Sequence, residues 1–309
     1  MQNTESTKKS SVSEMSRKIL FIVNPNAGKR ISDFIIEIIR REFPANLYYQ
    51  IAIWKDKDHF DEITQLLKTN GYTDAIAVGG DGTVNHVAKT ILNTGITLGI
   101  VPIGSGNGLA RSLGISMKLE ETIKQIVAGK TAVIDNGLVN NIPFFCTSGI
   151  GFDAHIGNLF ATSVKRGLQS YVKITIAELF KYRAKNYTLE FNGQSIQRKA
   201  FLITVANAGQ YGNDFYIAPQ ANMRDGLFHV VILKPFNVLQ LPGLMTKILR
   251  RKANESSCIE TFVTNKITIT RNEKDTIHFD GEPAMEEKTV VFENKPAALK
   301  VIVGEKFDH

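Results

Sequence analysis

The chain has 309 residues, of which 43% are hydrophobic and 22% charged, so it can bury a sizeable core and is not a disordered protein. Its length favours two domains over one, and a formal net charge of +7 is too modest to dictate a partner by itself. Two cysteines, Cys146 and Cys258, lie far apart without metal-ligand spacing and fit a reducing cytosol.

Residues 1–17 are polar, rich in Ser, Thr and Lys, and lack the apolar run of a signal peptide, so they read as a flexible tail. No stretch is long and apolar enough to span a bilayer. From Lys18 to about Ala132 strands and helices alternate: strand at 18–24, helix at 31–43, strand at 46–54, and helix at 58–70 ending before Gly71. A buried strand at Asp74 to Val78 then leads into Gly79-Gly80-Asp81-Gly82-Thr83 and a helix carrying Val84, Val87, Ala88, Ile91 and Leu92. A second strand, Thr97 to Ile103, leads into Gly104-Ser105-Gly106-Asn107-Gly108 and Leu109 to Leu113. The alternation predicts a three-layer α/β domain with a mostly parallel sheet over residues 18–133.

After Asp135 the texture changes to short β-branched and aromatic runs at 187–191, 200–206, 227–233, 266–270, 276–280 and 288–292, interrupted by a basic helix at 163–184. Asn192-Gly193 is a hairpin signal. These runs predict an antiparallel β domain over residues 134–297.

The two glycine loops carry the chemistry. Glycine lets backbone approach a ligand closely, and a helix amino-terminus offers unpaired N–H groups and a partial positive charge to an anion. A third turn, Asn24-Pro25-Asn26-Ala27-Gly28-Lys29, follows the first strand, so three turns lie at one end of one sheet, where open parallel sheets bind ligands. Asn24, Asn26, Gly79, Gly80, Gly82, Thr83, Ser105, Gly106 and Asn107 are the expected nucleotide cradle, with Thr83 as helix cap and phosphate contact and Lys29 as a point charge toward phosphate. Asp81 stands apart. A carboxylate beside phosphates repels them unless a metal, a water or a substrate proton intervenes, which suggests catalysis.

At these residues the chain resembles the diacylglycerol and sphingosine lipid kinase family, and the similarity continues through Gly149-Ile150-Gly151-Phe152-Asp153-Ala154, Ala218-Pro219, Asp225-Gly226 and Asp280-Gly281-Glu282. It covers roughly residues 18 to 305. NAD kinases and phosphofructokinases are similar only around the Gly-Gly-Asp-Gly loop. The resemblance implies an NAD kinase-like first domain, a β-sandwich second domain that binds lipid, and a last strand at 298–305 returning to the first. It implies ATP and Mg2+ as cofactors and transfer of the γ-phosphoryl group to the primary hydroxyl of a diacylglycerol-like or sphingoid lipid. Asp280 stands where the family has a catalytic acid and is the expected general base, with Asp81 the rival. Asp225 and Glu282 are expected metal or water ligands, since magnesium prefers oxygen. Asp135 and Asp153 match acids at the interdomain cleft, and Asp153 is a candidate for the polar headgroup. Two positions depart from the pattern. Asn222 replaces an acid that bacterial diacylglycerol kinases often carry three residues before Asp225, and His86 replaces the family's usual Glu.

Between Lys165 and Lys185 six basic residues (Lys165, Arg166, Lys173, Lys181, Arg183 and Lys185) face one acid, Glu178. A second cluster, Lys247, Arg250, Arg251 and Lys252, shares its segment with six large apolar residues from Leu239 to Leu249. Both suit anionic lipid headgroups. Lys165 and Arg166 join the expected substrate side, and 239–252 is the expected docking element, set against a helix packed on its own β domain. Without interleaved aromatics or a binding motif, neither cluster predicts nucleic acid. The expected protein is cytoplasmic and peripherally membrane-associated, monomeric or homodimeric. The alternatives are an NAD kinase-like nucleotide kinase and an inactive lipid- or nucleotide-binding regulator.

Overall fold

Alternate residues of the first strand serve two different cores, and this sets the layering of the amino-terminal half. In the computed structural model, which describes residues 17–25, 29–162 and 168–307, β1 (Lys18–Val23) lies parallel between β2 (Tyr48–Ile53) and β3 (Asp74–Gly79), and β3 pairs with β4 (Thr97–Pro102). Leu20 and Ile22 enter a core shared with α2 (Lys57–Thr69), α3 (Asp81–Ile91) and α4 (Gly108–Ser112). Ile19, Phe21 and Val23 enter the opposite core with α1 (Lys29–Glu42) and α5 (Leu119–Ala128). Successive strand side chains point to opposite faces, so one strand fastens both helical layers of the expected α/β domain.

Arg17 belongs to this domain rather than to the tail. Its guanidinium pairs with the buried Asp74, Nη2 to Oδ1 at 2.8 Å, and donates to the carbonyls of Ile126 and Val127 at the end of α5. A cation there satisfies orphan carbonyls and complements the helix dipole.

The carboxyl-terminal half is a sandwich. One sheet has six strands in the order β12 (Ile259–Thr264), β11 (Phe228–Leu233), β10 (Leu202–Ala206), β7 (Thr147–Gly151), β14 (Asp275–Phe279) and β15 (Glu282–Glu286). Facing it are β13 (Lys266–Arg271), β8 (Lys185–Phe191) and β9 (Gln194–Ala200), whose hairpin turns at Asn192-Gly193 with φ of 49° and 72°. Phe144, Ile150, Leu189, Ile203, Val230 and Phe292 fill the space between.

The two halves share a sheet. The strand β16 (Thr289–Ile302) pairs with β13 through Lys266↔Glu293 to Thr270↔Thr289, then runs parallel to β4 at Val301↔Leu98, giving one ten-stranded sheet. β5 (Thr131–Val139) follows β16 antiparallel on both sides of a register shift between Lys295 and Leu299, and β6 (Ile142–Phe144) pairs with β5. At the shift Ala297 has φ of 51°. The Asp135 carboxylate holds this bulge, accepting from Ala297 N at 2.8 Å and from Gly226 N at 2.7 Å.

Helices α6 (Phe152–Thr162), α7 (Leu168–Leu179) and α8 (Leu241–Leu249) cover the outer face of the six-stranded sheet over Phe152, Ile156, Phe201, Leu233, Leu244 and Ile248. The sequence predicts a helix at 163–184, of which 163–167 lie outside the described residues, and weighs a second at 239–252. α6 escapes because its buried residues Phe152, Ala154 and Ile156 alternate like those of a strand, directly after β7. α8 docks on its own sheet through Leu244 and Ile248, so the expected insertion of its whole apolar set into a bilayer does not fit. Three of the four cations of this segment are engaged too: Lys247 donates to Glu255 O, Lys252 pairs with Glu255, and Arg251 lies 4.0 Å over the Tyr216 ring, while Arg250 is exposed.

Asp135→Asn tests the bulge. An amide offers only one acceptor oxygen and turns N–H toward N–H, so the unfolding free energy from urea denaturation should fall by about 1–3 kcal/mol.

Candidate active site

The two glycine loops are pressed together. A Cβ on Gly104 would lie 2.7 Å from Gly80 Cα, and one on Gly106 would lie 2.7 Å from Asp81 Oδ2. Asp81 ties the loops, accepting from Asn107 N at 2.9 Å and Gly108 N at 2.7 Å. The first amides of α4 are thereby occupied by protein. Asn107, expected in the cradle, is buried with φ of 52° and donates its amide to Gly104 O at 2.7 Å, so it shapes the second loop instead of lining a ligand site.

The start of α3 is different. Gly80 is its N-cap and provides no side-chain cap, which leaves the first-turn N–H groups without intrahelical acceptors beside the exposed Gly82. Thr83 is not the cap. It is buried, its hydroxyl accepts from Asn24 Nδ2 at 2.9 Å, and its side chain occupies the space where a Cβ on Gly79 would stand. Asn24 N also donates to Val78 O, tying the first turn to the first glycine loop. Ser105 is exposed beside these loops. Lys29 opens α1, while Asn26, Lys165 and Arg166 lie outside the described residues.

Asp280 reaches the same place from the other half. Asp280-Gly281 is the two-residue turn of the β14–β15 hairpin, with φ of 50° and 84°. Its carboxylate accepts from the backbone N–H of Phe145, Cys146 and Thr147 at 2.7, 2.7 and 3.1 Å, and from Asn85 Nδ2 of α3 at 3.3 Å. Burial pushes its pKa up to about 6 against the opposing effect of these donors. The buried Cys146 thiol is raised well above its ordinary value by burial first, then by the charges of Asp280 and Asp81, which places both acids around one thiol. Glu282 follows on β15: a Cβ on Gly82 would lie 3.7 Å from its Oε1, and Lys89 of α3 is 3.8 Å from Oε2 and 4.8 Å over the Phe279 ring. Lys89 and Asn85 were not singled out from sequence, because helix periodicity alone does not mark which polar positions meet a hairpin 190 residues on.

The other expected site acids are engaged structurally. Asp153 Oδ2 accepts from Tyr211 Oη at 3.0 Å, contacts His278 Nε2 at 3.0 Å and lies 3.4 Å from Thr204 Oγ1, while Oδ1 accepts from Ala154 N. Asp135 serves the bulge. Asp225 is exposed and caps its own turn through Leu227 N, and Asn222 does the same through Arg224 N. Among the described residues no group of three His, Cys, Asp or Glu side chains could hold a metal ion.

Beside Asn24 opens a cavity of about 560 Å³, lined by Trp54, Phe60 and His86 together with Lys55 and Lys57. The Trp54 ring lies 4.4 Å from Phe60 and 5.3 Å from His86, whose Nδ1 is 2.8 Å from Gly82 O. His86 thus belongs to an aromatic wall on the same turn as the open amides. Trp54 is missed from sequence, although it is the chain's single tryptophan and stands at the end of a strand neighbouring the first glycine turn.

Residues 18–139 match the diacylglycerol kinase catalytic domain, and residues 147–303 match the YegS C-terminal NAD kinase beta sandwich-like domain. A probable YegS-like lipid kinase of Klebsiella pneumoniae (strain 342) is 30% identical over 252 residues, 80% of this chain and 83% of that one. The chain belongs to the diacylglycerol kinase and YegS-like lipid kinase family. Diacylglycerol kinase of Bacillus subtilis (strain 168) is 28% identical over 67% of this chain and 70% of its own length. An uncharacterized protein of Synechocystis sp. is 29% identical over 84% of this chain, which spans 64% of that protein's length. Among solved structures, a diacylglycerol kinase from Bacillus anthracis str. Sterne matches with a TM-score of 0.71 at 20% identity, covering 94% of this chain and 97% of that one. An NAD kinase from Archaeoglobus fulgidus in complex with ATP matches with a TM-score of 0.54 at 12% identity over 93% and 94%. Both likenesses are of fold. They agree with the α/β domain and antiparallel sandwich of this lipid kinase family member.

Asp81→Asn should loosen the joined loops, because an amide cannot accept two backbone N–H groups through both of its terminal atoms. Hydrogen exchange at the Asn107 and Gly108 amides is expected to accelerate about tenfold or more, at the usual worth of a charge-assisted hydrogen bond. Unchanged protection of both amides would show that Asp81 does not hold the second loop.

Proposed function

We propose that the protein transfers the γ-phosphoryl group of ATP to the primary hydroxyl of a diacylglycerol-like or sphingoid lipid. The observation that carries this reading is the convergence of an open helix amino-terminus and a half-buried acid from the opposite half. The uncapped first turn of α3 suits nucleotide phosphates, and the same helix donates Asn85 to Asp280. The Trp54, Phe60 and His86 wall suits a flat base, in a cavity also lined by Lys55, Asp56, Lys57 and Asp61.

Asp280 is the general base in this reading and Asp81 the brace of the phosphate loop. A base works best with a pKa near the operating pH, and burial brings Asp280 to about 6. The lipid hydroxyl oxygen bonds to the γ-phosphorus, its proton passes to an Asp280 carboxylate oxygen, and the bond from the γ-phosphorus to the bridging oxygen breaks to release ADP. Four donors fix the carboxylate, so its orientation is settled before substrate arrives. Magnesium, in this reading, arrives on the nucleotide phosphates, since the described acids form no cage of their own.

ATP binding should quench the fluorescence of Trp54, the only tryptophan, and Trp54→Phe should abolish the signal while Trp54→Ala weakens binding by about tenfold. Quenching by NAD with phosphorylation of NAD, and none of lipid, would favour the nucleotide kinase instead.

Asp280→Asn should lower turnover of dispersed diacylglycerol or sphingosine by about 10²- to 10⁴-fold with nucleotide binding retained. A folded Asp280→Asn protein with near-normal turnover removes Asp280 from the chemistry. Because the base must be ionised, kcat/KM is expected to hold above pH 6 and to fall as pH drops through about 6. The stability linkage has the opposite sense. An acid raised from an unfolded value of about 3.9 contributes stability below that pH, and the contribution is lost as pH rises through about 6.

A further inference from the structure

The outer helical layer leaves an apolar stripe uncovered. Val172, Ile176 and Phe180 recur every four residues along α7 and its end, so they stand above one another on one face, 45%, 57% and 56% exposed. The helix's inward side is occupied, with Ile174, Leu179 and the following Tyr182 packed on the core beneath. The Tyr182 ring lies 5.3 Å from Phe201, and Phe201 lies 5.1 Å from Phe236, which sets the end of α7 near the turn that projects Val238 and Leu239, 49% and 87% exposed.

Exposed cations belong to the same helical layer. Lys173 and Arg183 are exposed beside the stripe, and Arg250 is exposed after α8. The nearby acids are already paired, Glu178 with Lys181 and His155, and Glu255 with Lys252. A surface of large apolar side chains accompanied by uncompensated positive charge matches a sheet of anionic headgroups over an apolar interior. It matches a second copy of itself poorly, because a two-fold contact would bring like charges together.

We infer that this face is where the protein rests on an anionic lipid bilayer, with the α7 stripe and the Val238–Leu239 turn entering the interface and Lys173, Arg183 and Arg250 meeting lipid phosphate. The choice of occupant rests on the lipid kinase reading. Among the described residues no helix is long and apolar enough to cross a membrane, so a long-chain substrate has to be met at its surface. The face is well placed for that. α6 lies between α7 and the β14–β15 hairpin, joined to α7 by His155 and Glu178 at 3.1 Å and to β14 by Asp153 and His278 at 3.0 Å.

Co-sedimentation of the full chain with phosphatidylcholine vesicles containing about 30 mol% phosphatidylglycerol provides the test. The wild type should bind these and bind pure phosphatidylcholine about tenfold or more weakly. Ile176→Ser with Phe180→Ser should reduce binding about tenfold or more, since both side chains lose an apolar phase. Lys173→Gln with Arg183→Gln should reduce it about fivefold per charge, and added salt should do the same to the wild type. Phe34→Ser, at an exposed apolar position on α1, should change nothing. Unchanged binding by the Ile176→Ser, Phe180→Ser protein overturns the docking face. So does conversion of a wild-type dimer to that variant's monomer in sedimentation velocity with vesicle binding intact, which assigns the stripe to self-association. Phosphorylation of a water-soluble short-chain diacylglycerol separates the two readings. A variant that loses vesicles but keeps this activity supports docking, and a wild type that binds vesicles yet phosphorylates no lipid removes the kinase reading alone.

Discussion

The structure depends on carboxylates that accept backbone N–H groups from segments distant in sequence. Asp280 takes three consecutive amides, Phe145 to Thr147, and so fixes the β14–β15 hairpin against the entry to β7. Asp81 takes two amides from the second glycine loop, and Asp135 takes one from the β16 bulge and one from the turn at Gly226. Asp280 and Asp135 act at the ends and irregularities of strand ladders, where pairing stops, and Asp81 joins two loops that share no ladder. An ionised acceptor makes a stronger bond to N–H than a neutral one does, so a single side chain can hold a junction. Turns held this way are fixed without being filled, which keeps backbone groups such as the first amides of α3 available.

This explains how two halves of different architecture form one site. The shared strand β16 aligns them at the level of the sheet, changing partner from β13 to β4 across the bulge that Asp135 holds. A second connection runs through the loop after β10. A Cβ on Gly212 would lie 3.0 Å from Gly106 O, and one on Gly108 would lie 3.2 Å from Tyr211 O, so this loop lies directly against the second glycine loop. Tyr211 then bonds Asp153, which contacts His278, two residues before Asp280 on the same strand. A displacement of the glycine loops therefore bears on the hairpin that carries Asp280. Such contiguity is a physical route for coupling between the glycine loops and the β14–β15 hairpin, through packed backbone and three buried or half-buried side chains.

The parts legible in the sequence are those where local pattern and tertiary role coincide. The strand, glycine loop and helix around Asp81 announce themselves because a buried parallel strand is apolar throughout, a close loop contact demands glycine, and the following helix is amphipathic. Asn192-Gly193 is legible because few dipeptides accept two positive φ values. The roles of Asn107 and Thr83 were less legible: polarity in a glycine loop suggests a ligand contact, yet here the loops approach so closely that both side chains are consumed in building them. α6 hides behind a strand-like alternation, and the aromatic wall of Trp54, Phe60 and His86 draws on two helices and a strand end that are adjacent only after the sheet forms.

The two acids of the site illustrate why residue type alone leaves a role undecided. Asp81 and Asp280 are both aspartates beside glycine, both bond backbone amides, and both act on the Cys146 thiol. Their settings differ. Asp81 sits in the first turn of α3, and its two oxygens each hold an amide of the adjoining loop. Asp280 sits in a hairpin turn, and burial outweighs its donors, so its pKa rises to about 6. A carboxyl balanced between its two forms is suited to exchange a proton. The same chemistry accounts for the silence of Cys146 between them: a thiol enclosed by apolar surroundings and flanked by negative charge keeps its proton, so the two acids face a neutral neighbour.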